Sequence, residues 1–242
     1  MSSPTLTPSL PVHRRTRIKI CGLTREQDVD TAVHAGADAI GFVLYPASAR
    51  AVTAQRAAQL ARRLPPFVTP VLLFVNALPA EVQAAAHQVP GAWLQFHGDE
   101  TPEDCWRASD QGRLPYLRAA RIPLGDAGRD FNLLQYAQQY SQARALLLDA
   151  LVDGYGGGGQ TFHWSHLPPS VPCHLVLSGG LTPENVGDGI AQLQACCPSL
   201  AVDVSSGVEA HHPDGSPRKG IKDCGKIQQF VAAVRAADTL LA

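Results

Sequence analysis

Three glycine-bearing segments of this chain have the residue types that bind phosphate. Residues 156–159 are four consecutive glycines, 178–180 read Ser-Gly-Gly, and 205–207 read Ser-Ser-Gly. Glycine lets backbone N–H groups approach an anion closely, and a helix that begins nearby adds partial positive charge. A tight turn is the commoner reason for any one glycine loop. Three such loops favour a phosphate-bearing ligand if the fold brings them to one place.

The elements that must position these segments alternate regularly along the chain. Short apolar runs rich in branched residues predict eight strands, at 17–21, 39–44, 70–75, 92–96, 114–119, 145–149, 174–177 and 200–204. Amphipathic stretches predict helices at 25–35, 53–63, 79–88, 131–140, 183–195 and 222–241. A further helix, the sixth, is short or degenerate, because it has only residues 161–167 before a Pro-Pro pair.

Several residues have the chemistry of helix ends. Thr24 is placed to cap the first helix and Gly36 to end it. Thr182 is placed to cap the helix after the seventh strand, with Pro183 at its first position. Residues 210–220 predict a polar turn before the last helix.

Strand–helix alternation with short links predicts parallel strands joined by right-handed crossovers. Eight such units within 242 residues favour an α/β fold with a single closed (β/α)8 TIM barrel of eight parallel strands. We place this single domain at residues 17–242. Residues 1–16, rich in Ser, Thr and Pro, predict a disordered leader that is neither a signal peptide nor a membrane span.

Polar and glycine residues follow the strands of this predicted barrel, at the rim where such barrels carry their chemistry. Cys21 ends the first strand, Arg50 and His97 follow the second and fourth, and Asp149 ends the sixth. The loops after the seventh and eighth strands are the usual phosphate site of this fold. We therefore assign phosphate binding to Gly157, Gly158, Gly159, Ser178, Gly179, Gly180, Ser205, Ser206 and Gly207.

The composition argues against several classes of partner. The chain has 20 Lys and Arg against 21 Asp and Glu, with no run of one sign, so nothing favours nucleic acid or an anionic membrane. Six cysteines form no Cys-x-x-Cys pair, and we expect a cytoplasmic protein. Neither His163 with His166 nor His211 with His212 has other ligands at zinc spacing. We expect no metal and no cofactor.

Eight motifs, in order, resemble those of the phosphoribosylanthranilate isomerases, over roughly residues 17–238. The first is Arg17-Ile-Lys-Ile-Cys-Gly-Leu-Thr24. The others are Gly36-Ala-Asp-Ala-Ile-Gly-Phe42 with Pro46-x-Ser48-x-Arg50, Phe74-Val-Asn76, Leu94-Gln-Phe-His-Gly98, Leu147-Leu-Asp149, Gly156-Gly-x-Gly159 with Thr161-Phe162, Leu177-Ser-Gly-Gly-Leu-x-Pro-Glu-Asn185, and Ala201-Val-Asp-Val-Ser-Ser-Gly-Val-Glu209.

The resemblance implies an enzyme of tryptophan biosynthesis that needs no cofactor. Its reaction is the Amadori rearrangement of N-(5-phosphoribosyl)anthranilate to 1-(2-carboxyphenylamino)-1-deoxyribulose 5-phosphate. In the family the base is the Cys that ends strand 1 and the acid is the Asp that ends strand 6, here Cys21 and Asp149. Arg50 matches the family's residue for the anthranilate carboxylate, which a guanidinium suits.

Other interpretations of these residues stay open from the sequence. A Cys at the end of an apolar strand, such as Cys21, is usually a buried packing residue. An Asp at the end of another apolar strand, such as Asp149, can cap a loop. We place His97 and Asp203 with the substrate as positioning residues, although a structural role suits either. Strand alternation puts Lys19 and Cys21 on one face and Asp203 inward on the neighbouring strand, so we expect Lys19 and Asp203 to pair and to bias the Cys21 thiol.

Rival functions share the fold. The histidine-pathway isomerase uses acids after strands 1 and 5, where this chain has Cys21 and the pair Ala119 and Ala120. The catalytic Lys and Glu motifs of indole-glycerol-phosphate synthase are not found. The alternative of another class is a non-catalytic barrel that binds a phosphosugar. The sequence leaves both a monomer and a homodimer open.

Overall fold

The computed structural model describes residues 15–151, 164 and 167–241. In this part of the chain, eight parallel strands close into a barrel, each paired with the next and the eighth with the first. They are β1 (Arg17–Cys21), β2 (Ala39–Val43), β3 (Thr69–Phe74), β4 (Trp93–Phe96), β5 (Tyr116–Ile122), β6 (Ala145–Ala150), β7 (Leu175–Leu177) and β8 (Leu200–Val204). The predicted (β/α)8 barrel is confirmed, with strand ends within three residues of the prediction.

Seven α-helices surround the described strands: α1 (Glu26–Ala35), α2 (Ala54–Ala61), α3 (Pro79–Gln88), α4 (Pro102–Ala108), α5 (Leu133–Gln139), α6 (Val186–Leu193) and α7 (Cys224–Leu240). Six occupy predicted stretches, and α3 has the predicted bounds. The prediction omitted α4, although Thr101 caps it through the Asp104 N–H and Pro102 is its first residue.

One predicted helix cap and one predicted helix start are wrong. Thr24 does not cap α1, because its hydroxyl donates to the Gly220 carbonyl oxygen at 2.9 Å. Helix α6 begins at Val186 rather than Pro183, since residues 183–185 form a turn. Gly36, by contrast, ends α1 as predicted, with a φ of 98° that favours glycine.

Some predictions fall on residues that the structure does not describe. The sixth helix, 161–167, and the segment with Gly157, Gly158 and Gly159 lie almost wholly outside the described residues. Most of the predicted leader does so too. Its last two residues are described, and Thr16 is buried, donating its N–H to the Asp238 carboxylate at 3.1 Å. The folded part of the chain therefore begins before residue 17.

Side chains fill the barrel in two zones. Nearer the amino ends of the strands, an apolar layer is closed by Val71, Leu117, Ala119, Ala145, Leu147 and Val176. Nearer the carboxyl ends, Cys21 lies with Val43, Leu73 and Val75. The alternate residues of each strand, such as Ile18 and Ile20, pack outward against the helices. The polar side chains at the mouth therefore stand on a closely packed floor.

A β-hairpin replaces the predicted turn between the barrel and α7. Its strands are β9 (Glu209–His211) and β10 (Pro217–Lys222), which pair antiparallel. The hairpin carries Glu209 and Lys222, which are both buried, back to the barrel mouth. In the described part of the chain, no helix has the length and apolarity that crossing a membrane requires.

Candidate active site

The carboxyl ends of the strands surround an open pocket that includes most of the predicted site residues. Its wall includes Cys21, Arg50, His97, Asp149, Ser178, Gly179, Gly180, Asp203, Ser205 and Ser206. Gly207 is absent from this wall, because it packs against the backbone of Leu181 so closely that a Cβ would clash with the carbonyl oxygen. The structure thus brings together residues from the carboxyl ends of six strands, β1, β2, β4, β6, β7 and β8, and from the loops that follow them.

Asp149, at the end of β6, is held by two hydrogen bonds. Its Oδ1 accepts from the Ala150 N–H at 3.0 Å, and its Oδ2 lies 2.8 Å from Nε2 of His97. The other ring nitrogen of His97, Nδ1, lies 2.9 Å from Nε2 of Gln95. All three side chains are buried. Gln95, His97 and Asp149 therefore form a chain of hydrogen bonds from the barrel interior to the pocket.

Cys21 lies beside a buried ion pair. Lys19 Nζ is 2.9 Å from Asp203 Oδ1, on paired residues of β1 and β8, and each side chain is about 5% exposed. The predicted pairing of Lys19 with Asp203 is confirmed. Burial raises the pKa of the Cys21 thiol, and the Lys19 ammonium opposes that rise. Although burial opposes its charge, Asp203 and Cys21 keep the pKa of Lys19 above its usual value.

Arg50 belongs to a second buried cluster on the other side of Cys21. Its Nε and Nη2 donate to the two oxygens of Glu209, at 2.7 and 2.8 Å. Lys222 Nζ lies 3.3 Å from the same carboxylate and donates to the Ser205 carbonyl oxygen at 2.8 Å. Burial lowers the pKa of Lys222 to about 8, against the attraction of Glu209. Two cations therefore share one carboxylate.

The loop after β7 has the backbone of an anion site. Gly179 and Gly180 both have positive φ, 79° and 61°, a conformation that other residues rarely adopt. Within the described residues, no backbone carbonyl accepts the N–H of either glycine. A Cβ on Gly179 would also lie 2.8 Å from Asp149 Oδ1. This loop can present N–H groups to a ligand while leaving room for Asp149.

Sequence reasoning missed three buried residues that organise the site: Gln95, Glu209 and Lys222. Gln95 and Glu209 each lie inside a motif that was recognised, but a motif does not tell which of its side chains meet. Lys222 was taken as the start of a helix. Among the described residues, no group of three His, Cys, Asp or Glu side chains is placed to hold a metal ion.

The chain is similar to proteins of known family over nearly its whole length. The family model described as "N-(5'phosphoribosyl)anthranilate (PRA) isomerase" matches residues 18–233. The N-(5'-phosphoribosyl)anthranilate isomerase of Methylibium petroleiphilum is 57% identical over 228 residues, which cover 94% of this chain and 98% of that protein. The same enzyme of Dechloromonas aromatica is 55% identical over 93% of this chain and 98% of its own.

Solved structures agree. Phosphoribosyl anthranilate isomerase from Thermotoga maritima superposes with a TM-score of 0.72 at 35% identity, covering 91% of this chain and 99% of its own. A structure of such an isomerase in complex with reduced 1-(o-carboxyphenylamino)-1-deoxyribulose 5-phosphate gives a TM-score of 0.70 at 33% identity, with the same coverage. This chain belongs to the N-(5'-phosphoribosyl)anthranilate isomerase family.

Proposed function

We propose that the pocket catalyses the Amadori rearrangement of N-(5'-phosphoribosyl)anthranilate with Cys21 as the base and Asp149 as the acid. As a member of its family, the chain is an isomerase of tryptophan biosynthesis. The observation that carries the assignment is that Cys21 and Asp149 line one pocket from strands that are not neighbours, with β7 and β8 between them on one side. A sugar between the two groups meets acid and base on different atoms.

The chemistry needs two proton transfers at different atoms of the sugar. Asp149 protonates the ring oxygen as its bond to C1 breaks, and the anilino nitrogen supplies the electron pair that forms the C1–N double bond. The Cys21 thiolate then removes the proton from C2 and leaves an enol. Protonation of C1 and loss of the enol proton give the aminoketose, so that all atoms of the substrate are kept.

The surroundings of Cys21 set a requirement on this mechanism. Because burial raises its pKa, the resting residue is a thiol and must lose its proton before it can act. The Lys19 ammonium is the cation that stabilises the thiolate, and Asp203 fixes Lys19 beside it. We assign Lys19 and Asp203 the task of making the thiolate accessible.

The two anionic ends of the substrate find complementary groups. We assign the anthranilate carboxylate to Arg50, whose guanidinium Glu209 holds at the pocket wall. The backbone of Gly179 and Gly180 and the hydroxyls of Ser205 and Ser206 suit the phosphate. Gly207 assists by letting the loops after β7 and β8 approach each other.

The test follows the loss of substrate fluorescence with purified protein, without added metal or cofactor. Cys21→Ser and Asp149→Asn should each lower kcat by about 10²–10⁴-fold, the usual contribution of a general acid or base. Cys224→Ser is the matched control, because Cys224 is exposed and lies outside the pocket wall. Binding of a product analogue by both crippled variants separates chemistry from folding. Analogue binding by a wild type that shows no turnover would instead favour the non-catalytic phosphosugar-binding barrel.

The amino-terminal face of the barrel suggests a homodimer. Phe67, between α2 and β3, is fully exposed and has a φ of 72°, a strained value for a residue with a side chain. It stands at the rim of an apolar hollow whose floor includes Val71, Trp93 and Leu117. A two-fold axis through this face would put the Phe67 ring of each protomer into the partner's hollow. One solved structure, 32% identical to this chain with a TM-score of 0.69, is described as generated monomers of the dimeric phosphoribosylanthranilate isomerase from Thermotoga maritima, so that enzyme itself is dimeric.

Light scattering after size exclusion tests the dimer. The wild type and Leu78→Glu, a control on an exposed residue at the opposite end of β3, should both be dimers, and Phe67→Glu should be a monomer. A monomeric wild type at tens of micromolar would refute the proposal, because interfaces of standard size have Kd values of about a micromolar or lower. We also place the protein in the cytoplasm, since the described cysteines form no disulfide with one another.

A further inference from the structure

We propose that Gln95 is a positioning residue for the acid: it holds His97 in the tautomer that donates its Nε2 proton to Asp149. This inference rests on the proposed role of Asp149. Gln95 lies on the inward face of β4, and His97 directly follows that strand on the same face. Neither residue was assigned this role from the sequence. The three side chains lie in line, with 2.9 Å from Gln95 to His97 and 2.8 Å from His97 to Asp149.

The tautomer follows from the group at each end of the imidazole. If Asp149 gives its acidic proton to the sugar from Oδ1, its Oδ2 carries no proton and accepts a hydrogen bond both before and after the transfer, so the Nε2 atom that faces Oδ2 must carry a proton. In a neutral ring, Nδ1 then has a lone pair and needs a donor. The amide nitrogen of Gln95 is that donor. Each group thereby satisfies the next, and the direction of donation runs from Gln95 to Asp149.

The surroundings of Gln95 favour this role over packing. Its neighbours across β3 and β5 are Leu73 and Leu117, and its side chain is fully buried. Its Oε1 has no hydrogen-bond partner among the described residues. A buried amide oxygen without a partner is costly, and a leucine or methionine would fill this position without that cost. The hydrogen bond to His97 is the contact that an apolar residue could not make.

The consequence for Asp149 is a fixed orientation. His97 and the Ala150 N–H each hold one oxygen, so the carboxyl group cannot turn away from the pocket. The hydrogen bond from His97 also stabilises the carboxylate that remains once the proton has gone to the sugar. Without Gln95, the imidazole can adopt the other tautomer and present a lone pair to Asp149.

The first test needs no turnover. The ¹⁵N shifts of His97 in the resting wild type should show a proton on Nε2 and a bare Nδ1 at neutral pH, and Gln95→Met should lose this single pattern. A proton on Nδ1 in the wild type, either as the other tautomer or as an imidazolium, would overturn the inference. Because the spectrum is independent of catalysis, it separates this inference from the role of Asp149.

The second test uses the pH profile of kcat. Gln95→Met should lower kcat at least about ten-fold with KM within about two-fold, by analogy with the losses of about 10–100-fold on removing a residue that orients a metal ligand. In Gln95→Glu, the new carboxylate should stabilise the protonated imidazolium form of His97. The imidazolium is closer to Asp149 than the new carboxylate is, so its positive charge should dominate and lower the pKa of Asp149. The limb of the profile that Asp149→Asn abolishes should then move to lower pH. An unmoved limb in Gln95→Glu would leave Gln95 with packing alone, and an Asp149→Asn variant with normal kcat would refute the acid itself.

Discussion

Replacing Glu209 by Gln tests the charge balance behind Arg50. The carboxylate is fully buried and accepts from Arg50 at 2.7 and 2.8 Å, from the Gly220 N–H at 2.8 Å and from Lys222 at 3.3 Å. An amide of the same shape keeps one acceptor oxygen but turns an N–H group toward Arg50. It also removes the only negative charge that the structure shows between two cations.

The cost can be estimated from the burial of the groups left behind. Removing one partner of a buried ion pair costs about 3–5 kcal/mol, because the remaining charge stays without compensation. The Arg50 side chain is 10% exposed at the pocket and can be partly solvated, whereas that of Lys222 is 0% exposed. We therefore expect a loss near the lower end, about 3 kcal/mol, in the free energy of unfolding. Folded domains have only about 5–15 kcal/mol, so the loss is easily measured.

The loss should depend on pH in a defined direction. Lys222 has a pKa of about 8 in the folded wild type, below its usual value, and losing Glu209 lowers that pKa further. Below about pH 8, Lys222 is protonated in the wild type and Glu209 stabilises its charge. In the variant, Lys222 either keeps that charge without a partner or loses its proton, and both cost stability. Above it, the wild-type Lys222 also becomes neutral and gains nothing from Glu209. The difference between the two proteins should therefore shrink from about pH 6.5 to about pH 9.

Urea unfolding followed by circular dichroism gives the numbers. The control is Glu103→Gln, which breaks a surface pair with Arg107 and should cost less than about 0.5 kcal/mol. A second variant, Glu209→Gln with Lys222→Met, removes the uncompensated lysine and should be more stable than Glu209→Gln alone. A Glu209→Gln loss below about 1 kcal/mol, or a double variant less stable than the single one, would refute this account of the cluster.

Three further predictions concern the residues around the pocket. Gly179→Ala should lower both stability and kcat, since its Cβ would lie 2.7 Å from the Ala150 nitrogen. Gly36→Ala, at a glycine that also has positive φ but open space around it, should lower stability alone. Equal losses of kcat in the two variants would contradict this. In mass-spectrometric alkylation at about pH 7.5, exposed Cys224 should react well before Cys21, whose pKa burial raises, and equal rates would show an accessible Cys21 thiolate at rest. Lys19→Met should lower kcat and cost about 3 kcal/mol by leaving Asp203 unpaired, and unchanged activity and unfolding would refute the bias on Cys21.

The barrel could be predicted from local pattern because each of its strands is a short apolar run between turn residues. Local pattern predicts poorly where tertiary contacts determine how an element begins or ends. Thr24 has the residue type of a helix cap, yet its hydroxyl bonds to Gly220, which is 196 residues away in sequence. Helix α4 is short, with seven residues, and is fixed by its caps more than by an apolar face. Hairpin formation by β9 and β10 needs the two strands to meet, which the polar composition of 210–220 does not reveal.

The contacts of the site likewise include some that could be predicted from the sequence and some that could not. Strand alternation was enough to pair Lys19 with Asp203, because neighbouring strands of a parallel barrel keep a fixed register. Nothing comparable links Arg50 to Glu209, since one lies in a loop and the other in a hairpin 159 residues later. The chain from Gln95 to Asp149 crosses from β4 to β6 through a side chain of the rim. Contacts of this kind depend on the directions of side chains in three dimensions, and no regular spacing of residues in the sequence signals them.

The charges around the pocket explain how it can attract an anionic substrate. Lys19 and Asp203 cancel each other beneath Cys21. Arg50 and Lys222, two cations with the single carboxylate of Glu209, leave a formal charge of +1 (2 − 1) beside the pocket wall. Burial makes that excess charge costly, as the depressed pKa of Lys222 indicates. The proposed contact of the anthranilate carboxylate with Arg50 would relieve this cost, so that part of the binding energy would come from compensating a buried charge.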